Sequence, residues 1–353
     1  MKIDELLKSA VESNASDLHI TVGEPPMLRL AGKLAPMKYD KLTPEKAKTL
    51  IYSILNEQQR QKFEEELELD LSYSIPDVSR FRVNVYSQKD GVGAAIRVIP
   101  SKIPKPEEID MPKAAIEFTR LNQGLVLVTG PTGSGKSTTL ATMIDLINQE
   151  RACHIMTIED PIEFLHSHKS CMANQRELGA HTLSFPNALK HLLRQDPDVV
   201  LVGEMRDLET IAATVTIAET GHLVFATLHT LDAAQTIDRI IDVFPSYQQQ
   251  QIRMMLAGCL KGVICQQLIP RKDGKGRVAA REILVVTKAV SNLVREGKAF
   301  QIYTVIQTGT SFGMCTMDQS VRNLVKKGLI TQEAASASVS DLKTTIKPLG
   351  GKV

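Results

Sequence analysis

An apolar strand that runs straight into closely spaced glycines and a lysine leaves a chain few folds to choose from. Residues 124–139 are such a run: Gly124-Leu-Val-Leu-Val-Thr-Gly130-Pro-Thr-Gly133-Ser134-Gly135-Lys136-Ser137-Thr138-Thr139. Gly130 to Ser137 fits the phosphate-loop pattern G-x-x-x-x-G-K-[ST] in full. Glycines let consecutive backbone N–H groups turn inward around phosphates, Lys136 reaches the β- and γ-phosphates, and the Ser137 hydroxyl ligates Mg²⁺. Leu125 to Val128 read as a buried parallel strand, and Leu140, Met143, Ile144 and Ile147 repeat at helical spacing behind the loop. The following helix adds its positive N-terminal dipole to the same place. Gly133, Ser134, Gly135, Lys136, Ser137 and Thr138 are therefore the candidate ATP-binding residues. A merely flexible glycine turn would leave the strand before it and the helix after it unexplained.

The rest of the chain divides around prolines. Pro100-Ser-Lys-Ile-Pro104-Lys-Pro106, with Pro112 close behind, cannot sit inside a helix or a central strand. The stretch 100–113 reads as an interdomain linker, with an ordered loop inside one domain as the alternative. Before it, residues 1–99 mix helices and strands. Thr43-Pro44 has the form of a helix cap followed by proline at the first helical position. Phe81, Val83 and Val85 alternate with Arg82, Asn84 and Tyr86 as in a half-buried strand, and Val92 to Ile99 read as its hairpin partner across Asp90-Gly91. Beyond it, residues 114–353 alternate strands and helices as a mostly parallel α/β domain does. His154 to Ile158, Val199 to Val202 and Leu223 to Thr227 are its further strand candidates, and the segment beyond about residue 250 reads as largely helical.

Strand ends in such a sheet face the nucleotide, so polar residues there are site candidates. Ile155 to Ile158 end in Glu159-Asp160-Pro161-Ile162-Glu163, acids suited to hold Mg²⁺ waters and polarise an attacking water, or else an ordinary solvated loop. Hydrolysis of a phosphoanhydride is mostly positioning plus charge neutralisation. Asp198 to Val202 run into Gly203-Glu204, a Walker B-like element with glutamate where aspartate is usual, or else a plain buried strand. His222 and His229 flank the strand between them. A single histidine on an apolar strand is commonly a satisfied core residue, but a pair beside a nucleotide suits sensing or switching. Along an extended segment they stand too far apart to share a metal.

Composition narrows the function. A net charge of +2, 4% aromatic residues and no tryptophan speak against a nucleic-acid machine, which carries a basic stripe and stacking aromatics. The five cysteines are scattered without a C-x-x-C pair, so zinc ribbons and disulfide frameworks are not expected, and the thiols read as reduced packing residues of a cytoplasmic protein. Met1-Lys-Ile-Asp-Glu5 reads as the start of an amphipathic helix rather than a signal peptide. No stretch approaches the apolar length that crosses a bilayer, so a membrane role would be peripheral.

The phosphate loop, the acidic box Thr157 to Glu163, the Glu204 element and the two-histidine box occur in that order, and the set resembles the secretion ATPase superfamily. These are hexameric RecA-like motors of type II and type IV secretion and of type IV pili. Ser16-Asp17-Leu18-His19-Ile20 followed by Gly23-Glu24-Pro25-Pro26 is similar to the start of the superfamily's N-terminal domain. The implied fold is α/β: a PAS-like α+β N-terminal domain over 1–99, the linker over 100–113, and a RecA-like P-loop ATPase domain with a helical C-terminal part over 114–353. Val202 to Ile211, Gly313 to Ser320 and Ala289 to Glu296 are similar to the pilus-retraction branch. The last is usually A-I-R-N-L-I-R-E, and Ser291 stands here in place of its arginine. The lack of a four-cysteine zinc motif and of an extra N-terminal docking domain are both expected of that branch.

The resemblance implies a homohexamer that hydrolyses ATP with Mg²⁺ to retract type IV pili and drive twitching motility. It would be cytoplasmic, peripheral at the inner membrane at the pilus base, and would act on the platform protein of the pilus machinery, without zinc or nucleic acid. ATP would sit between the two domains of one subunit and the N-terminal domain of its neighbour. Lys136 and the loop amides would hold phosphates, and Ser137, with Glu204 through water, would position Mg²⁺. Glu163 would orient or activate the attacking water with Glu159 in support, and His222 and His229 would couple the γ-phosphate to neighbouring elements. Arg80, Arg82 and Arg97 are arginine-finger candidates, Arg82 foremost, although alternating arginines also make a solvated strand face. The proline stretch would be the hinge. Asn292 to Lys298 is a candidate platform contact and equally a solvated helix. Three other readings stay open: an accessory paralogue or assembly-direction motor, a nucleic-acid translocase, and a nucleotide-gated scaffold with little turnover.

Overall fold

The computed structural model describes residues 1–30, 32–76, 78–99 and 102–340. The chain divides into two compact units between Lys102 and Ile103. The first carries α1 (Ile3–Glu12), β1 (Asp17–Ile20), β2 (Met27–Leu30), β3 (Lys33–Pro36), α2 (Pro44–Tyr52), α3 (Glu57–Glu66), β4 (Glu68–Ile75), β5 (Ser79–Gln88) and β6 (Gly91–Ile99). α2 starts as its sequence dictates, with Thr43 Oγ1 accepting from the Lys46 N–H at 3.3 Å and Pro44 in the first turn. The strands form one antiparallel sheet in the order β3-β2-β1-β6-β5-β4. Phe81, Val83 and Val85 of β5 point into a core shared with Leu6, Leu7 and Ile51, while Arg82 is exposed.

The second unit carries a 3₁₀ turn (Pro106–Ile109), α4 (Lys113–Thr119), β7 (Gly124–Thr129), α5 (Lys136–Glu150), β8 (His154–Glu159), β9 (Met172–Glu177), α6 (Phe185–Leu192), β10 (Val199–Val202), α7 (Leu208–Glu219), β11 (Leu223–Leu228), α8 (Ala233–Asp242), α9 (Ser246–Cys259), β12 (Leu260–Pro270), β13 (Arg277–Val285), α10 (Lys288–Arg295), α11 (Ile302–Thr308), α12 (Met317–Lys326) and α13 (Gln332–Ser340). Its sheet runs β13-β12-β7-β11-β10-β8-β9, parallel throughout except for the β12–β13 hairpin. β7 shows why its residues are all apolar. Val126 and Val128 pack on one face against Met143, Ile144 and Ile147 of α5, while Leu125 and Leu127 join the core on the other face with Val215 and Leu256. Among the described residues no helix is long and apolar enough to cross a membrane.

The expectation of a largely helical segment beyond residue 250 holds from Lys288 onward, but β12 and β13 precede it. α9 ends at Cys259 and β12 begins at the next residue, so no turn residue marks the change. Gln266 sits buried inside β12 and breaks the apolar pattern by which a central strand is recognised. Of the proline stretch expected as a linker, Pro100 and Ser101 lie outside the described residues, and Ile103 onward groups with the second unit. There the Pro104 carbonyl accepts from Thr142 Oγ1 of α5 at 3.0 Å.

Close packing also sets a stability test at β12. A Cβ at Gly262 would stand 2.1 Å from the Phe118 ring of α4. Gly262→Ala is therefore expected to lower unfolding free energy by roughly 1–3 kcal/mol through overpacking, read as a fall in the urea midpoint at unchanged m-value.

Candidate active site

Register brings the motifs together. Thr129 lies opposite Leu228, and Val202 lies between Ala226 and Ile158, so the carboxyl ends of β7, β11, β10 and β8 share one edge. That edge is where a parallel sheet binds its ligand. The phosphate loop leaves β7 there with Gly130, Gly133 and Gly135 at φ 140°, 76° and 86°, conformations that favour glycine. α5 follows with Gly135 as its cap and no side-chain hydrogen bond to its first turn, leaving those N–H groups for an anion. Lys136 Nζ donates to the carbonyls of Gly130 at 2.8 Å and Pro131 at 3.2 Å. Burial draws its ammonium below the usual lysine range, opposed by the charges of Glu204 and Glu163. The charges of two carboxylates, from the segments after β10 and β8, thus act on this one cation.

Glu204 stands two residues past β10. Its Oε2 accepts from Arg206 Nη2 at 2.8 Å, and its Oε1 lies 3.1 Å from His229 Nε2 at the end of β11. The Arg206 hydrogen bond, outweighing burial, holds its carboxyl below the usual range. The intervening turn is tied down by Thr227 Oγ1, which donates to the Gly203 carbonyl. Gly203 approaches β8 so closely that a Cβ there would be 3.1 Å from the Glu159 Cα.

Glu159 differs from the other acids because it is 9% exposed. Its Oε1 accepts from Thr157 Oγ1 at 2.6 Å and Gln175 Nε2 at 3.2 Å. Burial nonetheless pushes its carboxyl up to about 7 from an ordinary 4.5. The folded state therefore binds the extra proton between those values, and its stability falls as pH rises from 4.5 through about 7. Glu159→Gln removes this share of the decline. Relative to wild type, the variant is expected to gain on the order of 3 kcal/mol between about pH 4 and about pH 8 in urea unfolding. A difference that stays constant with pH would overturn the assignment.

Glu163 is exposed at the same edge, beyond the cis Asp160–Pro161 bond. The loop around them is fastened by β9: Gln175 Nε2 donates to the Phe164 carbonyl at 2.8 Å, and Glu177 Oε2 accepts from the Ile162 N–H at 2.9 Å.

The structure does not bring the two histidines together. His222 precedes β11 at the amino edge, where its Nδ1 is 3.0 Å from the Ile217 carbonyl. The six residues of β11 separate it from His229, roughly 20 Å at strand rise, which removes His222 from the phosphate edge. In the first unit Arg82 is exposed and lies opposite Arg97. Arg97 Nε donates to Asp17 Oδ1 at 3.0 Å, and Arg80 is buried. Sequence reasoning missed Arg206, although it stands within the Glu204 motif. It also missed Gln175 and Gln266, which no local pattern marks.

The chain matches the type II/IV secretion system protein family over residues 1–336. It is 52% identical over 335 residues to the type IV pilus retraction ATPase PilT of Pseudomonas aeruginosa, covering 95% of this chain and 97% of that one. It is 41% identical over 350 residues to the type IV pilus ATPase PilU of the same organism, covering 98% and 92%. In fold it is similar to a crystal structure of the pilus retraction motor PilT with bound ADP, at a TM-score of 0.90 and 48% identity, covering 96% of this chain and 97% of that one.

Proposed function

Because the chain belongs to the type II/IV secretion system protein family, we propose that it is the ATPase motor that retracts type IV pili and so drives twitching motility. The observation that carries this reading is the gathering of the phosphate loop, Glu204 and Glu159 on one sheet edge, in a chain 52% identical to a retraction ATPase along its length. The 41% identity to the type IV pilus ATPase PilU keeps a different ATPase of the type IV pilus, such as an accessory paralogue, as the second reading.

In this reading ATP binds with its phosphates on the amides of Gly133 to Thr138. Lys136 Nζ exchanges two neutral carbonyls for phosphate oxygens, a stronger charge-assisted contact. The Ser137 hydroxyl and, through water, the Glu204 carboxylate would hold Mg²⁺, which would neutralise charge on the phosphates. Glu163 orients the attacking water, and buried Glu159 supports the loop that carries it. His229 holds Glu204 and leads through Thr230 into α8, so it can pass a change at the phosphates to that helix. Arg82 is proposed as the finger supplied by a neighbouring copy in a homohexamer. The exposed side of Asn292 to Lys298 is proposed to meet the platform protein at the cytoplasmic face of the inner membrane.

The test is cells whose only copy carries Glu204→Gln. They are expected to keep surface pili but to stop retracting them and stop spreading. Loss of pili would make the chain an assembly motor. Unchanged retraction would refute the reading.

A further inference from the structure

The outer side of the phosphate loop rests on two residues from the hairpin that the sequence pattern concealed. Gln266 of β12 is 3% exposed and Arg281 of β13 is 4% exposed. Gln266 Nε2 donates to the Ser134 carbonyl at 2.6 Å, and its Oε1 accepts from Thr139 Oγ1 and from Arg281 Nε at 2.8 Å each. The remaining guanidinium nitrogens of Arg281 donate to the carbonyls of Asp110 and Ile109 at 3.0 Å each. Its side-chain hydrogen bonds thus go to uncharged oxygens. Burial draws its guanidinium below the usual arginine range, opposed in part by the charge of Asp110, and a buried cation is costly beside an apolar side chain of similar volume, so packing alone does not account for it. The loop is also shaped to Gln266. A Cβ at position 130 would stand 2.1 Å from its backbone carbonyl, and one at position 135 would stand 2.8 Å from its Nε2.

We propose that Gln266 and Arg281 are positioning residues that aim the phosphate loop and couple its occupancy to the backbone at Ile109–Asp110, at the end of the 3₁₀ turn near the start of the second unit. The inference rests on the loop binding a nucleotide. Its physical basis is the trans peptide, whose C=O and N–H point in opposite directions. By holding the Ser134 carbonyl outward, Gln266 turns the Gly135 N–H inward. A phosphate on that N–H polarises the same peptide and strengthens the bond behind it, and such chains of hydrogen bonds reinforce one another. Arg281 carries the change from Gln266 to the 109–110 carbonyls.

Two substitutions separate aiming from coupling. Gln266→Glu keeps acceptors for Thr139 and Arg281 but sets an oxygen against the Ser134 carbonyl. Its affinity for a fluorescent ADP analogue is expected to fall about tenfold, with no loss in thermal midpoint because Arg281 gains a carboxylate. Arg281→Met leaves the Gln266–Ser134 bond, so affinity stays within a few-fold of wild type. Hydrogen exchange across residues 104–112 is expected to slow on ADP addition in wild type and not in Arg281→Met. Arg281→Lys serves if the methionine variant does not fold, since one ammonium cannot span three carbonyl oxygens, and the same loss is expected. Wild-type affinity in Gln266→Glu, or the same ADP-dependent slowing in wild type and the Arg281 variants, would overturn the proposal. Failure of the wild-type chain to bind the analogue would overturn the nucleotide reading, and this inference with it.

Discussion

The purified Glu204→Gln protein is expected to bind ADP while hydrolysing ATP on the order of 10²- to 10³-fold more slowly than wild type, measured as phosphate release at saturating ATP and Mg²⁺. The magnitude follows from what the substitution leaves in place. An amide is nearly the size of the carboxylate and can still meet His229, which approaches at 3.1 Å. The full negative charge, which Arg206 holds ionised, is lost. Charge in a partly desolvated site acts on the transition state far more than on a bound product. In the proposed site ADP is held by the loop amides and Lys136, which the substitution leaves in place, although Lys136 loses one of the two carboxylate charges that act on it. A variant as fast as wild type would remove Glu204 from the chemistry, and loss of ADP binding would mean that the sheet edge itself had been disturbed.

Gly130→Ala is expected to be the most damaging single change in the loop. The residue is buried at φ 140°, and an added Cβ would lie 2.1 Å from the Gln266 carbonyl. That contact is backbone against a central strand, so no side chain can swing aside. A loss of about 3 kcal/mol or more is expected in urea unfolding, together with loss of nucleotide affinity. Gly133→Ala is the control. Nothing lies within 4 Å of where its added methyl group would stand, and its φ of 76° leaves only the left-handed strain, roughly 1–2 kcal/mol. Equal costs at the two positions would mean that β12 does not press on the loop.

The elements that could be read in advance share a cause. β7, β10 and β11 are covered on both faces, so each is a continuous apolar run with polar residues at its ends. The hairpin of β5 and β6 was equally legible because one face is buried and the pattern alternates. β12 escaped because a buried glutamine lies in its middle, and that glutamine is there to satisfy a carbonyl 132 residues away in sequence. His222 looked like a partner of His229 because a strand's two ends are neighbours in sequence, whereas in a sheet they occupy opposite edges.

The chain alone determined that a phosphate loop joins a buried strand to a helix, since that chemistry is local: glycine torsions, one lysine and a helix start within a few residues. It also determined the α/β class, because burial on two faces writes itself into composition. Only the tertiary structure decided which acids face Lys136, which histidine stays at the phosphate edge, and what stands behind the loop. Those depend on strand order and register, and on hydrogen bonds such as those from Arg281 to Gln266, Ile109 and Asp110. Contacts of that kind are set when distant segments pack together, and no short stretch of sequence carries them.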